Sequence, residues 1–183
     1  FAYAAFEGWT AASGAAPAVR WLALGWSMAF VVLMFGCVTL HELGHCFMAR
    51  RFGVQVPRIL LLPIGGMAEF DSIPRAPRKE ILIALSGPAV NFVLIGVLMI
   101  FVRFPPHWNS VYFPLTWDEM LRHLVLVNLV MGVFNLVPVF PMDGGRVFRA
   151  LLARRLSYLR ATRIAVMVGK VLSSVGDLVL VFY

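Results

Sequence analysis

Three long stretches of this chain carry no charged side chain: Trp21–Leu40 with 20 residues, Ile81–Val102 with 22 and Leu124–Met142 with 19. A helix rises 1.5 Å per residue, so about 20 residues cross a hydrocarbon layer roughly 30 Å thick. All three are predicted to span a membrane. A fourth run, Ile164–Tyr183, is interrupted by Lys170 and Asp177, and spans only where those side chains face protein or a wet cavity. The rest of the composition agrees. Hydrophobic residues make up 61% of the 183 positions and charged residues 14%, with a mean hydropathy of +0.85, far from a soluble domain of this size.

The net charge of +7 would suggest a nucleic-acid partner in a soluble protein, but the basic residues sit in blocks between apolar runs. Six of the 16 lie between Arg50 and Lys79, six between Arg146 and Arg163, and none in Phe104–Trp117. By the positive-inside rule the two basic segments are cytoplasmic, so spans one to three run in, out and in. No nucleic acid is implied. The expected protein is an all-α polytopic membrane protein: a helical transmembrane bundle with a short membrane-associated β-hairpin. Spans are expected near 20–49, 81–103, 119–138 and 160–183, the hairpin near 54–70, and a further helix near 144–156, all forming one core over residues 1–183. Phe1 at the start and the apolar run at the end read as trimmed ends. The stretch Phe1–Ala16 reads as an interfacial segment.

The non-helical pieces are marked by proline and glycine. Val54–Phe70 contains Pro57, Pro63 and Gly65-Gly66, flanked by the apolar Ile59–Leu62 and Met67–Phe70, the pattern of a hairpin with exposed edges. Pro138 and Pro141 end the third span abruptly, and irregular backbone near a membrane persists only when buried in protein or lining a wet cavity. That cavity belongs on the cytoplasmic side. Cys37 and Cys46 are nine positions apart on one helix, about 13 Å along its axis, too far for a disulfide.

The chemistry starts at His41-Glu42-Leu43-Gly44-His45. Histidines at i and i+4 on a helix share a face and can converge on one zinc ion, leaving the glutamate between them to take a proton from a water the ion activates. The bland alternative is a polar helix end snorkelling toward the interface before Arg50, which short His and Glu side chains do poorly. A catalytic zinc needs a third protein ligand. His107 and His123 fall on the outer side, and Asp177 is too deep. Glu69, Asp71 and Glu80 lie on the correct side and stay in contention. Asp143, after the broken segment and before Gly144-Gly145, has the depth of the histidines, although an aspartate there can also cap the helix that follows.

His41-Glu-Leu-Gly-His45 together with Asn135-Leu-Val-Pro138-Val-Phe-Pro-Met-Asp143-Gly144 resembles the site-2 protease family of intramembrane metalloproteases. Pro63-Ile-Gly65-Gly66 and Ser86-Gly87-Pro88-Ala-Val-Asn91 look like further family elements, so the resemblance covers Leu40 to Arg149. Met142 stands where many members have leucine. The resemblance implies one zinc ion held by His41, His45 and Asp143, with Glu42 as general base. It also implies a single-span transmembrane protein as substrate, cut in or near the lipid bilayer by a multi-pass protein whose active site faces the cytoplasm. Membrane-tethered regulatory proteins are the substrates expected by analogy.

Substrate contacts are expected at four positions. The hairpin, with Gly65 and Gly66, offers an edge to an unwound peptide, or else dips into the membrane only to shield the site. Asn91 and Asn135 are amides inside apolar spans, where they either bond helix to helix or donate to substrate backbone. Two other function classes share parts of the pattern. A transporter or metal carrier would use intramembrane charges such as Lys170 and Asp177, but has no need of Glu42. A pseudoprotease that only binds transmembrane helices would not need the complete metal and base set.

Overall fold

A computed structural model describes residues 17–54, 58–62, 65–69, 76–102 and 116–182. The opening stretch 1–16, the outer loop with His107, and Phe70 and Asp71 lie outside the described residues. The elements in chain order are α1 (Pro17–Arg51), β1 (Arg58–Leu62), β2 (Gly65–Glu69), α2 (Pro77–Met99), α3 (Trp117–Asn135), α4 (Asp143–Leu152) and α5 (Tyr158–Phe182). Contacts divide the chain into two compact units, Phe1–Val38 with Phe92–Val130, and Thr39–Asn91 with Met131–Tyr183.

Local sequence sets the helix ends. α1 stops at Gly53, whose φ of +79° a side chain would oppose. Gly53 N–H donates to Arg50 O and Val54 N–H to Ala49 O, both at 3.0 Å, which closes the last turn by the Schellman pattern. Val54 then packs with Ala49, Ile83, Met48 and Phe52. α2 opens with Pro77, whose missing N–H costs nothing at a first helical position. α3 ends at Asn135, three residues before Pro138, as the restricted backbone before a proline favours.

β1 and β2 pair antiparallel, with Arg58 opposite Glu69 and Leu62 opposite Gly65. Gly65 and Gly66, expected at the turn, instead begin the second strand, opposite Leu62 and Leu61.

Burial follows an inverted logic. The buried residues of α2 are Glu80, Ile83, Ala84, Gly87, Pro88 and Asn91, one face at helical spacing, while Leu82, Phe92, Val93 and Val97 are exposed. On α1, Val32, Leu40 and Phe47 are exposed while Ser27, His41, Glu42 and His45 are buried. Water would oppose such an arrangement and lipid would favour it. Among the described residues two helices are long and apolar enough to cross a membrane, α1 from Val19 and α2.

The first unit is held by apolar and aromatic contacts. Cys37, Met120 and Leu124 are buried together against Trp26, Phe30, Leu94 and Leu98. Trp26 meets Trp117 edge to face at 5.6 Å between centroids, and Phe30 meets His123 at 5.9 Å. His123 thus belongs to this packing, with Nδ1 donating to Glu119 O. The fully buried amide of Asn128 donates to Leu124 O at 2.8 Å and to Cys37 Sγ at 3.2 Å.

Candidate metal centre

His41 and His45 lie one turn apart on α1, with ring centroids 4.8 Å apart. Their Nε2 atoms are 3.1 Å from each other, and Asp143 Oδ2 lies 3.4 Å from the first and 3.0 Å from the second. All three residues are buried. Asp143 is the third ligand candidate that the structure brings to the histidines. Glu80, in the first turn of α2, is committed to Arg149. The side chains of Glu69, Asp71 and Asp177 lie outside those the structure describes.

Both imidazoles are oriented from α2. His41 Nδ1–H donates to Asn91 Oδ1 at 2.9 Å, and His45 Nδ1–H donates to the Ile83 carbonyl at 2.7 Å. Each acceptor fixes the proton on Nδ1 and leaves Nε2 as a lone pair aimed at the common point. Asn91, fully buried, therefore takes the helix-to-helix role weighed for it in the sequence. Asn135 is partly buried and donates to Met131 O one turn back.

Glycines let the backbones approach. A Cβ on Gly87 would overlap the His45 ring and lie 2.8 Å from His41 Nε2, so the space beside both nitrogens exists because residue 87 has no side chain. A Cβ on Gly44 would come within 2.8 Å of Ser86 O and Val90 Cγ2, so α1 and α2 meet closely at the residue between the two ligands. Gly144 plays the same part for α4: its Cβ would overlap the carbonyls of Leu136 and Val137, and the short helix lies flat on the preceding loop.

Asp143 opens α4, and its side chain makes no cap: the N-cap is Met142, without a side-chain hydrogen bond. The capping alternative does not apply, and the carboxylate is free for other work. Burial alone would raise its pKa, but when protons rather than a metal occupy the site, Nε2–H donation and positive charge from His41 and His45 outweigh burial and hold the carboxyl at about 2. The helix N-terminus favours the same charge. Arg146, one turn on, lies 3.7 Å from Oδ1.

Three electron-rich atoms at 3.0 to 3.4 Å repel one another unless something positive sits among them. A proton bridges one pair at a time. A zinc ion satisfies all three, because bonds of about 2.0–2.1 Å in a tetrahedron put ligand atoms roughly 3.3 Å apart. The ligating atoms of His41, His45 and Asp143 all lie within 4.8 Å of one another. Glu42, the residue between the ligands in sequence, is buried beside them on α1.

The family model of peptidase family M50 matches residues 29–107 and 109–176. The chain belongs to peptidase family M50, the site-2 protease family. It is similar to a zinc metalloprotease of Methanocaldococcus jannaschii, 43% identical over 150 residues, which make up 81% of this chain and 41% of that protein. The solved structure of the site-2 protease from that organism matches with a TM-score of 0.61 and 43% identity, over 79% of this chain and 63% of the other. Rip3 of Mycobacterium tuberculosis is 34% identical over 148 residues, 78% of this chain and 35% of that protein. The chain thus spans less than half the length of these two curated relatives. In this family of zinc metalloproteases, His41, His45 and Asp143 are positioned to bind one metal ion, in an integral membrane protein.

Of the parts that come from α2, the sequence singled out Asn91 but not its histidine partner. Gly87 was visible as a motif residue, but nothing in its neighbours says that it faces two imidazoles. The Ile83 carbonyl has no sequence signal at all.

Proposed function

We propose that the chain is the proteolytic core of a zinc endopeptidase that cuts a transmembrane segment of a single-span, membrane-tethered regulatory protein. One observation carries the reading: two buried imidazoles and a carboxylate converge on a helix whose outer surface is apolar over a membrane's thickness.

Zinc held there would supply Lewis acidity for the scissile carbonyl and lower the pKa of water toward about 7. The chain's residues do the rest. Glu42 accepts a proton from the attacking water and returns it to the departing amine. Asn91 and the Ile83 carbonyl keep the imidazoles in one tautomer and one orientation. Helical substrate hides its carbonyls in internal bonds and must be unwound; it then adds as a strand to the β1–β2 pair, where Gly65 and Gly66 admit its backbone. Asn135, partly buried at the end of α3, offers an amide to the same peptide. The Arg and Lys blocks put the site on the cytoplasmic side of a four-span core, where water reaches it.

Glu42→Gln is expected to keep one zinc per chain and lose at least about 10²-fold in cleavage of a membrane-embedded substrate. Undiminished cleavage by a zinc-loaded Glu42→Gln protein would remove the glutamate from the mechanism.

A further inference from the structure

α4 poses a mechanical problem. It has ten residues, too few for a stable isolated helix, begins at a metal ligand and has no side-chain N-cap. A tetrahedral site tolerates little misplacement of that ligand. Gly144 seats the N-terminal end against the loop backbone, but a helix held at one end can still swing and rotate.

The other end is held by a buried ion pair. Arg149, six residues after Asp143, donates from Nε to Glu80 Oε1 at 2.9 Å, and its Nη2 contacts the same oxygen. Glu80 is 1% exposed and Arg149 is 8% exposed. The guanidinium also lies over the Phe140 ring at 5.3 Å and the Tyr158 ring at 5.1 Å, so its plane is fixed by the loop before α4 and the helix after it. Glu80 stands on α2, the helix that carries the Ile83 carbonyl, Gly87 and Asn91. The pair therefore ties the helix bearing the carboxylate ligand to the helix that orients both imidazole ligands.

We propose that Arg149 and Glu80 are positioning residues of the metal centre: their ion pair sets the rotation and depth of α4 and so places Asp143 opposite His41 and His45. The proposal rests on the zinc reading of the triad. Neither residue touches the metal position; Arg149 acts through α4 and Glu80 through Arg149. Generic stabilisation alone would be poorly served by such a pair, since burying two charges costs about as much as their attraction returns and apolar residues of similar size often do better. Glu80 Oε2 has no partner among the described residues, which adds to that cost. Fixed orientation is what the planar guanidinium supplies and an apolar contact does not.

The test uses the whole protein purified in detergent, stripped of metal and titrated with zinc against a chromophoric chelator, and separately with Co(II) while its visible absorption is recorded. Arg149→Met and Glu80→Gln are expected to weaken zinc binding roughly 10- to 100-fold and to change the Co(II) band, as loss of groups that orient ligands does. Arg149→Lys keeps the charge without the fork and is expected to shift the band as well. The paired variant Glu80→Met with Arg149→Met removes the lone buried charge, so it should recover thermal stability while its metal affinity stays low; it also serves if the single variants fail to fold. Folded variants that bind zinc within about twofold of wild type, with an unchanged Co(II) spectrum, would overturn the proposal and leave the pair a brace. Wild-type protein that takes up neither metal would overturn it differently, by removing the site itself, and that result is told apart because the parent fails along with every variant.

Discussion

The two halves of the chain solve opposite problems with the same helices. Of the nine buried polar residues among those described, Ser27 and Asn128 belong to the first unit; His41, Glu42, His45, Glu80, Asn91, Asp143 and Arg149 belong to the second. In the first, Ser27 returns its hydroxyl to Ala23 O, Asn128 donates to Leu124 O and to Cys37 Sγ, and the packing is done by Trp26, Phe30, Met120 and Leu124. In the second, side chains reach across 38 to 69 positions of sequence to orient one another. The difference teaches where substitution should be tolerated. One half needs shape, whereas the other needs shape and every named hydrogen bond.

Glycine substitutions break the comparison most sharply. Gly87→Ala drives a methyl into the His45 ring, and we expect the zinc content of the purified protein to fall to background. Gly36→Ala, on the same apolar α1 but in the first unit, meets nothing within 4 Å and should leave zinc and cleavage unchanged. Equal loss at the two positions would erase the distinction. The amides come next in size. Asn91→Ala frees the His41 ring and should lower zinc affinity roughly 10- to 100-fold. Asn128→Ala should leave zinc affinity intact and lower stability by no more than about 1–2 kcal/mol, the range of such bonds within membranes, read by unfolding in detergent. The smallest effect is expected from Gly36→Ala itself on stability, a gain of about 0.5–1 kcal/mol if helix propensity alone decides.

How much of this was legible beforehand depends on distance along the chain. The His41 and His45 pair is local, one turn of one helix, and sequence alone shows it. Asp143 lies almost a hundred positions away, yet depth and the broken segment before it narrowed the choice. On α2 the sequence showed that Asn91 could bond to another helix but not to which residue, because the register between two helices decides what faces what, and Gly87 and the Ile83 carbonyl acquire their roles only from that register. Arg149 read as one of many cytoplasmic basic residues, and Glu80 as a spare candidate ligand; nothing local says that they meet. The strand boundaries moved for a related reason. Gly65-Gly66 carries a turn signal, but pairing with Leu62 and Leu61 draws both glycines into β2.

The central claim is that His41, His45 and Asp143 share one zinc ion, and X-ray absorption at the zinc edge of the purified, zinc-loaded protein tests it most directly. The account predicts one zinc per chain with nitrogen and oxygen neighbours at about 2.0–2.1 Å, and loss of that shell in Asp143→Ala. Protein that retains no zinc, or a spectrum dominated by sulfur at about 2.3 Å as Cys46 would give, contradicts it.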